Sequence, residues 1–347
     1  AKADVNAAEE DRGNALIVAA GYGHADCLQL LLDAKANINT TVKKISSALS
    51  AAASQGRIAC LQLLLDAKAD VTKDDGNHAL MSAIHLGHDG CLPLLINAKV
   101  NVNAATDEGS TALMLAAAVG RARCLQLLLD AKADLSITSK DGTTASFFAA
   151  KFGHASCLQL LLDANADVNA ANKHGETALI QAASEGRKDC VQVLLDAKAD
   201  VNAVDVFRRT ASIYAAMDGH LACLQLLLDA KADINAREKD GYAAVNAAVL
   251  QRHIECLQLL LGAKADVNFK LGRDGHTALI LATARGYTEC LQLLLDAKAD
   301  VDAADHAGGT ALILAAMRGD TECLQLLLDV KADVDAADHV DGTALIF

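Results

Sequence analysis

Residues 124–134 read CLQLLLDAKAD, and this stretch decides the fold. The same eleven residues recur unchanged three more times, and once more with Asn165 in place of Lys. The other copies begin at Cys60, Cys157, Cys223 and Cys290. All ten cysteines of the chain stand 31 to 34 residues apart. They therefore mark one position of a repeat, and they do not indicate the framework of a disulfide-rich domain.

A second phrase precedes each cysteine, and residues 111–120 give it as TALMLAAAVG. Counting back eighteen residues from each cysteine predicts one repeat array over residues 1–347. Its repeats are 9–41, 42–72, 73–105, 106–138, 139–171, 172–204, 205–237, 238–271, 272–304 and 305–337. We expect 1–8 and 338–347 to belong to further repeats, so that the chain is a piece of a longer array or an array whose ends were lost.

The composition favours thin layers of helices over the irregular core of a globular enzyme. Apolar residues make up 52% of the chain, but aromatic residues only 3%, with no Trp and one Pro. The 44 acidic and 31 basic residues give a net charge of −13, which argues against binding to nucleic acid or to anionic membranes. No apolar run approaches the roughly 18 residues of a membrane-spanning helix, so we expect no membrane insertion.

Each repeat is predicted to contain two helices. The first begins at a Thr such as Thr111, whose hydroxyl can cap the helix, and ends at a Gly four residues before the cysteine. Arg252 is the one exception to that Gly. The second helix carries Cys and Leu at offsets 0, +1, +4 and +5, with Leu at +3 widening this apolar stripe and with Gln and Asp on the polar side. One repeat cannot bury both helices, whereas stacked neighbours can.

The cysteines are predicted to be buried and reduced. Equivalent residues of adjacent repeats lie about one helix-packing distance apart, roughly 8–10 Å. A disulfide requires Cα atoms within about 7 Å, so Cys27 should not bridge to Cys60. Ten buried thiols indicate a reducing intracellular compartment such as the cytoplasm.

The full pattern, D-x-x-G-x-T-A-L-x-x-A-A-x-x-G-H-x-x-C-L-x-L-L-L-x-x-K-A-D-V-N-A, resembles the ankyrin repeat. The resemblance implies an all-α solenoid of 33-residue helix-turn-helix repeats, curved into a right-handed superhelix, with hairpin-like loops at right angles to the helices. It also implies a non-catalytic protein that binds a protein partner on its concave face, which is formed by first helices and loop tips.

Several residues depart from the family pattern. The family's Thr-Pro-Leu-His becomes Thr-Ala-Leu-Ile or Thr-Ala-Leu-Met in most repeats, so we expect apolar contacts to replace the His hydrogen bonds between repeats. The Gly after the second helix becomes Lys in nine repeats and Asn165 in the tenth. If the backbone there is left-handed, each Lys costs about 1 kcal/mol relative to Gly. Pro93, a shortened loop before Gly76, and Arg12 and Ile45 at turn-Gly positions predict irregular curvature in the first three repeats.

Two motifs resemble metal sites. His-x-x-Cys pairs such as His154 and Cys157 could supply half of a zinc site, but a helix-start His beside a core Cys explains them better. The acidic run 300–305 lacks the Gly and Glu of a calcium loop. Neither a phosphate-binding loop nor a nucleophile elbow occurs, so we predict no catalytic residue, no metal and no cofactor.

The residues that vary between the repeats are the candidates for contact with a partner. By resemblance they flank the turn Gly and lie near the end of the first helix, and bulky side chains concentrate there in repeats five to eight. The predicted partner-binding residues are Lys151, Phe152, Phe207, Arg208, Arg209, Tyr214, Met217, Asp218, Tyr242 and Leu250. Aromatic and Arg residues dominate the energetics of interfaces. For Tyr214, as for Phe147 and Phe148, a core position remains the alternative.

The leading hypothesis is a protein-binding scaffold of unknown partner. A permanent structural subunit of a larger assembly is the alternative, and a targeting arm of a longer, multidomain protein is a third possibility.

Overall fold

The structure is a computed structural model that describes residues 4–9, 13–41, 47–72, 74–339 and 342–344. Over these ranges nearly all regular secondary structure is helical, apart from a hairpin of two-residue strands, β1 (Ala8–Glu9) and β2 (Gly13–Asn14). The helices are α1 (Ala15–Tyr22), α2 (Ala25–Asp33), α3 (Ala48–Ser54), α4 (Ile58–Asp66), α5 (Asp74–Leu86), α6 (Leu92–Asn97), α7 (Ala112–Ala118), α8 (Ala122–Asp130), α9 (Ala145–Phe152), α10 (Ala155–Asp163), α11 (Ala178–Ser184), α12 (Lys188–Asp196), α13 (Ala211–Met217), α14 (Leu221–Asp229), α15 (Ala244–Leu250), α16 (Ile254–Gly262), α17 (Ala278–Arg285), α18 (Thr288–Asp296), α19 (Ala311–Arg318) and α20 (Thr321–Asp329).

The chain divides into two compact units, an N-terminal unit of residues 1–167 and a C-terminal unit of residues 168–347. The N-terminal unit contains α1 to α10, and the C-terminal unit contains α11 to α20. Within each unit, first helices pack against first helices of the next repeat and second helices against second helices, as α13 packs on α15 and α14 on α16. Each unit is therefore the all-α stack of helix pairs that the repeat predicted. In the part of the chain described, no helix is long and apolar enough to cross a membrane.

The first helices begin as the sequence predicted. At Thr111 the hydroxyl oxygen accepts a hydrogen bond from the backbone N–H of Met114, at 3.3 Å. The same cap occurs in five other repeats, at Thr144, Thr177, Thr210, Thr277 and Thr310. Each cap satisfies one of the free amides of the first helical turn, which compensates for the loss of the family's Pro.

Each second helix is followed by a residue with a left-handed backbone. This is the backbone conformation in which Lys is less favourable than the family's Gly. Lys132 has φ +61°, its N–H donates to the Leu129 carbonyl, and the N–H of Ala133 donates to the Leu128 carbonyl. This pair of bonds is a Schellman motif, in which Gly is the usual residue. All ten repeats share the conformation, at Lys35, Lys68, Lys99, Lys132, Asn165, Lys198, Lys231, Lys264, Lys298 and Lys331. A cation just past a helix C-terminus interacts favourably with the helix dipole, which offsets part of the cost.

The buried stripe of the second helix is narrower than predicted. In α8 the fully buried side chains are Cys124, Leu125 and Leu128, whereas Leu127 and Leu129 are half-buried. The prediction of a core position at +5 is therefore wrong for this helix, because one neighbouring layer of helices covers only the 0, +1 and +4 face. Gln126 lies on the outer side and donates to Asp130, a bond that seven other repeats also make.

The cysteines are all free, and nine are buried as predicted. Cys27 contradicts the prediction of ten buried thiols because it is exposed. The cysteine side of a second helix faces the preceding repeat, as the contact of the Cys157 thiol with the Ala116 carbonyl shows, and no second helix is described before α2. The exposure of Cys27 thus shows which neighbour buries this position.

The third repeat departs from the regular pattern at the shortened loop and at the second helix that contains Pro93. Helix α5 starts at Asp74 without a preceding hairpin, and the second helix is broken into a 3-10 turn (Asp89–Cys91) and α6. Pro93 lies in the first turn of α6, where its missing N–H costs no helical hydrogen bond. Arg12 and Ile45, the other predicted irregularities, lie outside the described residues.

Consecutive repeats are also joined by polar contacts, at positions other than the family's His. The Ile or Met at the family's His position is buried in most repeats, as expected. The ring of His220, however, lies 2.9 Å from the carbonyl oxygen of Ser184 in the preceding repeat. In the loops, the Asn202 side chain accepts the backbone N–H of Asp233 at 2.8 Å. Six further Asn and one Asp make the equivalent bond to the next repeat.

We predict that Leu128→Ala lowers the free energy of unfolding by about 2–5 kcal/mol, because a buried Leu loses its packing and leaves a cavity. Leu127→Ala is the matched control from the same helix turn, and it should cost clearly less because Leu127 is half-buried. Urea denaturation followed by circular dichroism measures both. Equal costs for the two variants would contradict the stacking arrangement.

Candidate protein-binding surface

The loop tips of the C-terminal unit are held in register by backbone hydrogen bonds between consecutive repeats. The N–H of Val206 donates to the carbonyl of His174, that of Lys239 to Phe207, and that of Gly272 to Asp240. Each tip is itself a tight turn, as in the bond from the N–H of Gly241 to the carbonyl of Glu238. Side chains at the tips are therefore fixed by backbone that is bonded on both sides.

Arg208 occupies a position that glycine occupies in the neighbouring tips. It has φ +65°, and the equivalent Gly175, Gly241 and Gly308 have φ between +75° and +86°. A left-handed backbone disfavours every residue with a Cβ atom, so Arg208 is strained by about 1 kcal/mol or more relative to Gly. Its side chain is exposed.

Asp205 organises the tip of repeat 205–237. One carboxylate oxygen accepts the N–H groups of Phe207 and Arg209, at 2.8 and 2.7 Å, and the other accepts the hydroxyl of Tyr214, at 2.8 Å. Burial and this bond to Asp205 raise the pKa of Tyr214 to about 12, so its phenol stays protonated at neutral pH. The tip and the first helix behind it are thus tied into one structure.

Arg209 links this tip to the next one. Its Nε donates to Glu238, whose carboxylate is buried, and this bond raises the pKa of Arg209 above its ordinary value. The guanidinium carbon also lies 5.2 Å from the ring centroid of Phe207 and 5.9 Å from that of Tyr214. Arg209 therefore positions two aromatic rings, in addition to forming an ion pair.

Two pockets share Asp240 and Tyr242 in their walls. The first has a volume of about 280 Å³. Its wall consists of Arg209, Met217, Glu238, Asp240, Tyr242, Ala247, Leu250 and Gln251. The second has a volume of about 260 Å³. Its wall consists of Asp240, Tyr242, Leu271, Gly272, Arg273, Asp274, His276 and Leu281. The structure thus brings four of the predicted residues, Arg209, Met217, Tyr242 and Leu250, together around one cavity.

The remaining predicted residues of the C-terminal unit lie beside this cavity or on the tip. Phe207 is 52% exposed although it is large and apolar, and Arg208 is exposed next to it. Tyr214 is half-buried, with its hydroxyl bonded to Asp205. Asp218 is exposed at the end of α13 and accepts the hydroxyl of Ser184, at 3.2 Å.

Lys151 and Phe152 belong to the N-terminal unit, at the end of α9. Phe152 is 47% exposed, and the Lys151 ammonium lies 6.0 Å from its ring centroid. Phe147 is buried, which settles it as a core residue, whereas Phe148 is half-buried and meets it edge to face.

Sequence reasoning missed Asp205, Glu238 and Asp240. Asp205 and Glu238 are acidic residues at the same place in two consecutive tips, five residues before Thr210 and its equivalent Ala243. Aligning the repeats with one another would have placed Glu238 one tip away from Arg209. No sequence pattern singles out Asp240, because its place between the two pockets is visible only in the three-dimensional structure.

The His-x-x-Cys pairs serve the scaffold. The rings of His154 and His253 contact carbonyl oxygens of the preceding repeat, each at 3.1 Å. Burial raises the pKa of Cys157 and Cys256 to about 11, so both remain unreactive thiols at neutral pH. Within the described ranges, no three His, Cys, Asp or Glu side chains are grouped so that they could hold a metal ion.

Comparison with known proteins gives a consistent result. The family model for ankyrin repeats in three copies matches residues 1–75, 49–139, 113–205, 199–271 and 263–338. The solved ankyrin repeat domain of Bcl-3, a member of the IkappaB family, is 28% identical, with a TM-score of 0.56 over 59% of this chain and 94% of that one. The human ASB11 ankyrin repeat domain is 27% identical, with a TM-score of 0.57 over 63% and 98%. No curated protein matches this chain in sequence.

We predict that Arg209→Ala lowers the free energy of unfolding by about 1–3 kcal/mol, because the buried carboxylate of Glu238 loses its charged partner. Adding Glu238→Gln should recover part of that loss, since a neutral amide tolerates burial better. Arg208→Ala is the control, because it removes an exposed side chain and keeps the left-handed backbone. Additive effects in the double-mutant cycle would show that the pair contributes nothing.

Proposed function

Since the chain belongs to the ankyrin-repeat family, we propose that it is a non-catalytic scaffold that holds a protein partner on the face formed by first helices and loop tips. Ankyrin repeats are protein-interaction modules, and the proposal assigns the binding to a particular part of this chain. We place the main contact on Phe207, Arg208, Met217, Tyr242 and Leu250 of the C-terminal unit. Phe152 and Lys151 would supply a contact in the N-terminal unit.

The exposed ring of Phe207 carries this proposal. An apolar side chain of this size that is half exposed to water contributes little to stability. Here it stands on a strained tip beside Arg208, next to a pocket lined by Met217, Tyr242 and Leu250. Aromatic and Arg side chains around a pocket are the usual composition of a binding hot spot.

The chemistry of the surface favours a protein partner over nucleic acid. The net charge of −13 would repel a phosphate backbone, and Arg209, one of the basic groups at the pocket, is already paired with Glu238. The ten free cysteines fit a reducing intracellular compartment, where we expect the scaffold to act.

We predict that Phe207→Ala combined with Tyr242→Ala reduces the recovery of the partner at least about tenfold in pull-downs from cells that express the chain. The reason is that truncating a hot-spot residue costs about 2 kcal/mol or more of binding energy. The matched control is Tyr22→Ala combined with Phe269→Ala, which removes the same two ring types from residues that line neither pocket. Undiminished recovery by the first variant would contradict the site, and an equal loss from the control would show that the effect is not local.

A further inference from the structure

The first helices of the C-terminal unit end in charges that are sorted by sign. The position five residues before the cysteine is occupied in consecutive repeats by Glu185, Asp218, Gln251, Arg285 and Arg318. The row thus begins with two acids, passes one neutral residue and ends with two bases. Because α11, α13, α15, α17 and α19 pack side by side in that order, these residues form a continuous row on one surface.

These charges are available to a partner. Asp218, Arg285 and Arg318 are exposed, and Glu185 is half-exposed. Glu185 accepts a hydrogen bond from Gln181, and Asp218 accepts one from Ser184, but neither contact involves a cation. Among the described residues, none of the four charged groups has an ion-pair partner.

Helix stability explains the two basic residues of the row but not the two acidic ones. A base at the C-terminus of a helix interacts favourably with the helix dipole, so Arg285 and Arg318 stabilise α17 and α19. An acid at the same place is unfavourable, and Glu185 and Asp218 are the C-terminal caps of α11 and α13. The two acids therefore stand where helix stability disfavours them, which points to a role outside the helix.

A pocket lies at the middle of the row, and its wall combines apolar side chains with the charged Arg209, Glu238 and Asp240. Met217 and Leu250 precede Asp218 and Gln251 in the chain, and both line the pocket of about 280 Å³ together with Tyr242 and Gln251 itself. The hydroxyl of Tyr242 has no hydrogen-bond partner in the described part of the chain. The loop tips carry both signs of charge, as in Lys239 and Asp240, so the sorting is confined to the helix ends.

We propose that this row binds an extended segment of the protein partner that has two basic residues, one large apolar residue and two acidic residues, in that order and about three residues apart. The basic side chains face Glu185 and Asp218, the apolar side chain enters the Met217–Tyr242–Leu250 pocket, and the acidic side chains face Arg285 and Arg318. This assignment rests on the proposed function and adds the chemistry of the partner.

The spacing follows from two lengths. Consecutive first helices lie roughly 8–10 Å apart. An extended chain in the polyproline II conformation advances about 3.1 Å per residue with three residues per turn, so every third side chain lies on the same face and three residues cover one repeat. The five positions of the row therefore match a segment of about thirteen residues, and both termini of the segment remain free to continue into the partner.

Fluorescence anisotropy with labelled synthetic peptides tests the proposal on the whole chain. The probe is KSSKSSLSSESSE, and the matched control KSSESSLSSKSSE has the same composition with alternating charges. We expect the sorted peptide to bind at least about fivefold more tightly at low salt. The preference should shrink as added salt screens the exposed charges. Replacing the central Leu by Ser should also weaken binding, because the pocket then stays unfilled.

A variant of the protein should reverse the preference. With Glu185→Lys and Asp218→Lys the whole row is basic or neutral, so the chain should bind ESSESSLSSESSE more tightly than the sorted peptide. The matched control is Lys239→Glu, an exposed loop-tip charge outside the row, which should leave the order of affinities unchanged. A gain of binding to the acidic peptide, with the circular dichroism spectrum of the variant unchanged, reports the charge of the row and not a loss of fold.

Equal affinity for the sorted and alternating peptides, or no binding of the sorted peptide at millimolar concentration, would overturn the inference. If the chain still lost its partner through Phe207→Ala and Tyr242→Ala, the scaffold function would stand and only the charge order would be wrong. If neither the peptides nor the double variant had an effect, the binding surface itself would be misplaced.

Discussion

Contact between consecutive repeats is the interaction on which the rest of each unit depends. A single pair of helices exposes Cys, Leu and Ala side chains that become buried only when neighbouring pairs cover them, as Cys124, Leu125 and Leu128 are buried in α8. Cys27 shows the reverse case, because no second helix is described before α2 and its thiol is exposed. The same constraint explains why the sequence varies so little at these positions, since every repeat buries side chains of both of its neighbours.

Polar contacts fix the stacking that the apolar contacts drive. Apolar burial is not directional, whereas the bond from the Asp233 N–H to the Asn202 side chain and the contact of His220 with the Ser184 carbonyl hold two repeats in one register. Each such bond contributes on the order of 1 kcal/mol. Because the loop tips are also bonded to one another through their backbones, a substitution such as Arg208 for Gly changes the surface without changing the course of the chain.

The repeat made most of the fold predictable from the sequence. The period gave the helix pairs, the Thr caps and the left-handed Lys position, and its cysteine spacing excluded disulfides. Two predictions failed, because Leu129 is half-buried and Cys27 is exposed. Both depend on how much of a helix the neighbouring repeat covers, and the sequence of one repeat does not specify that. For the surface, periodicity identified the variable residues, and the structure brought Arg209, Met217, Tyr242 and Leu250 around one pocket. The ion pair with Glu238 and the place of Asp240 depend on distances between tips, which the sequence alone does not fix.

The central claim is that a nearly invariant scaffold presents one variable surface to a protein partner. Photo-cross-linking tests it most directly, with a benzophenone amino acid placed either at Phe207 on the loop tip or at Gln225 on the exposed outer side of α14. In cells that express the chain, the account predicts a covalent adduct with a protein from Phe207 and none from Gln225. An adduct formed from Gln225 and not from Phe207 would contradict it.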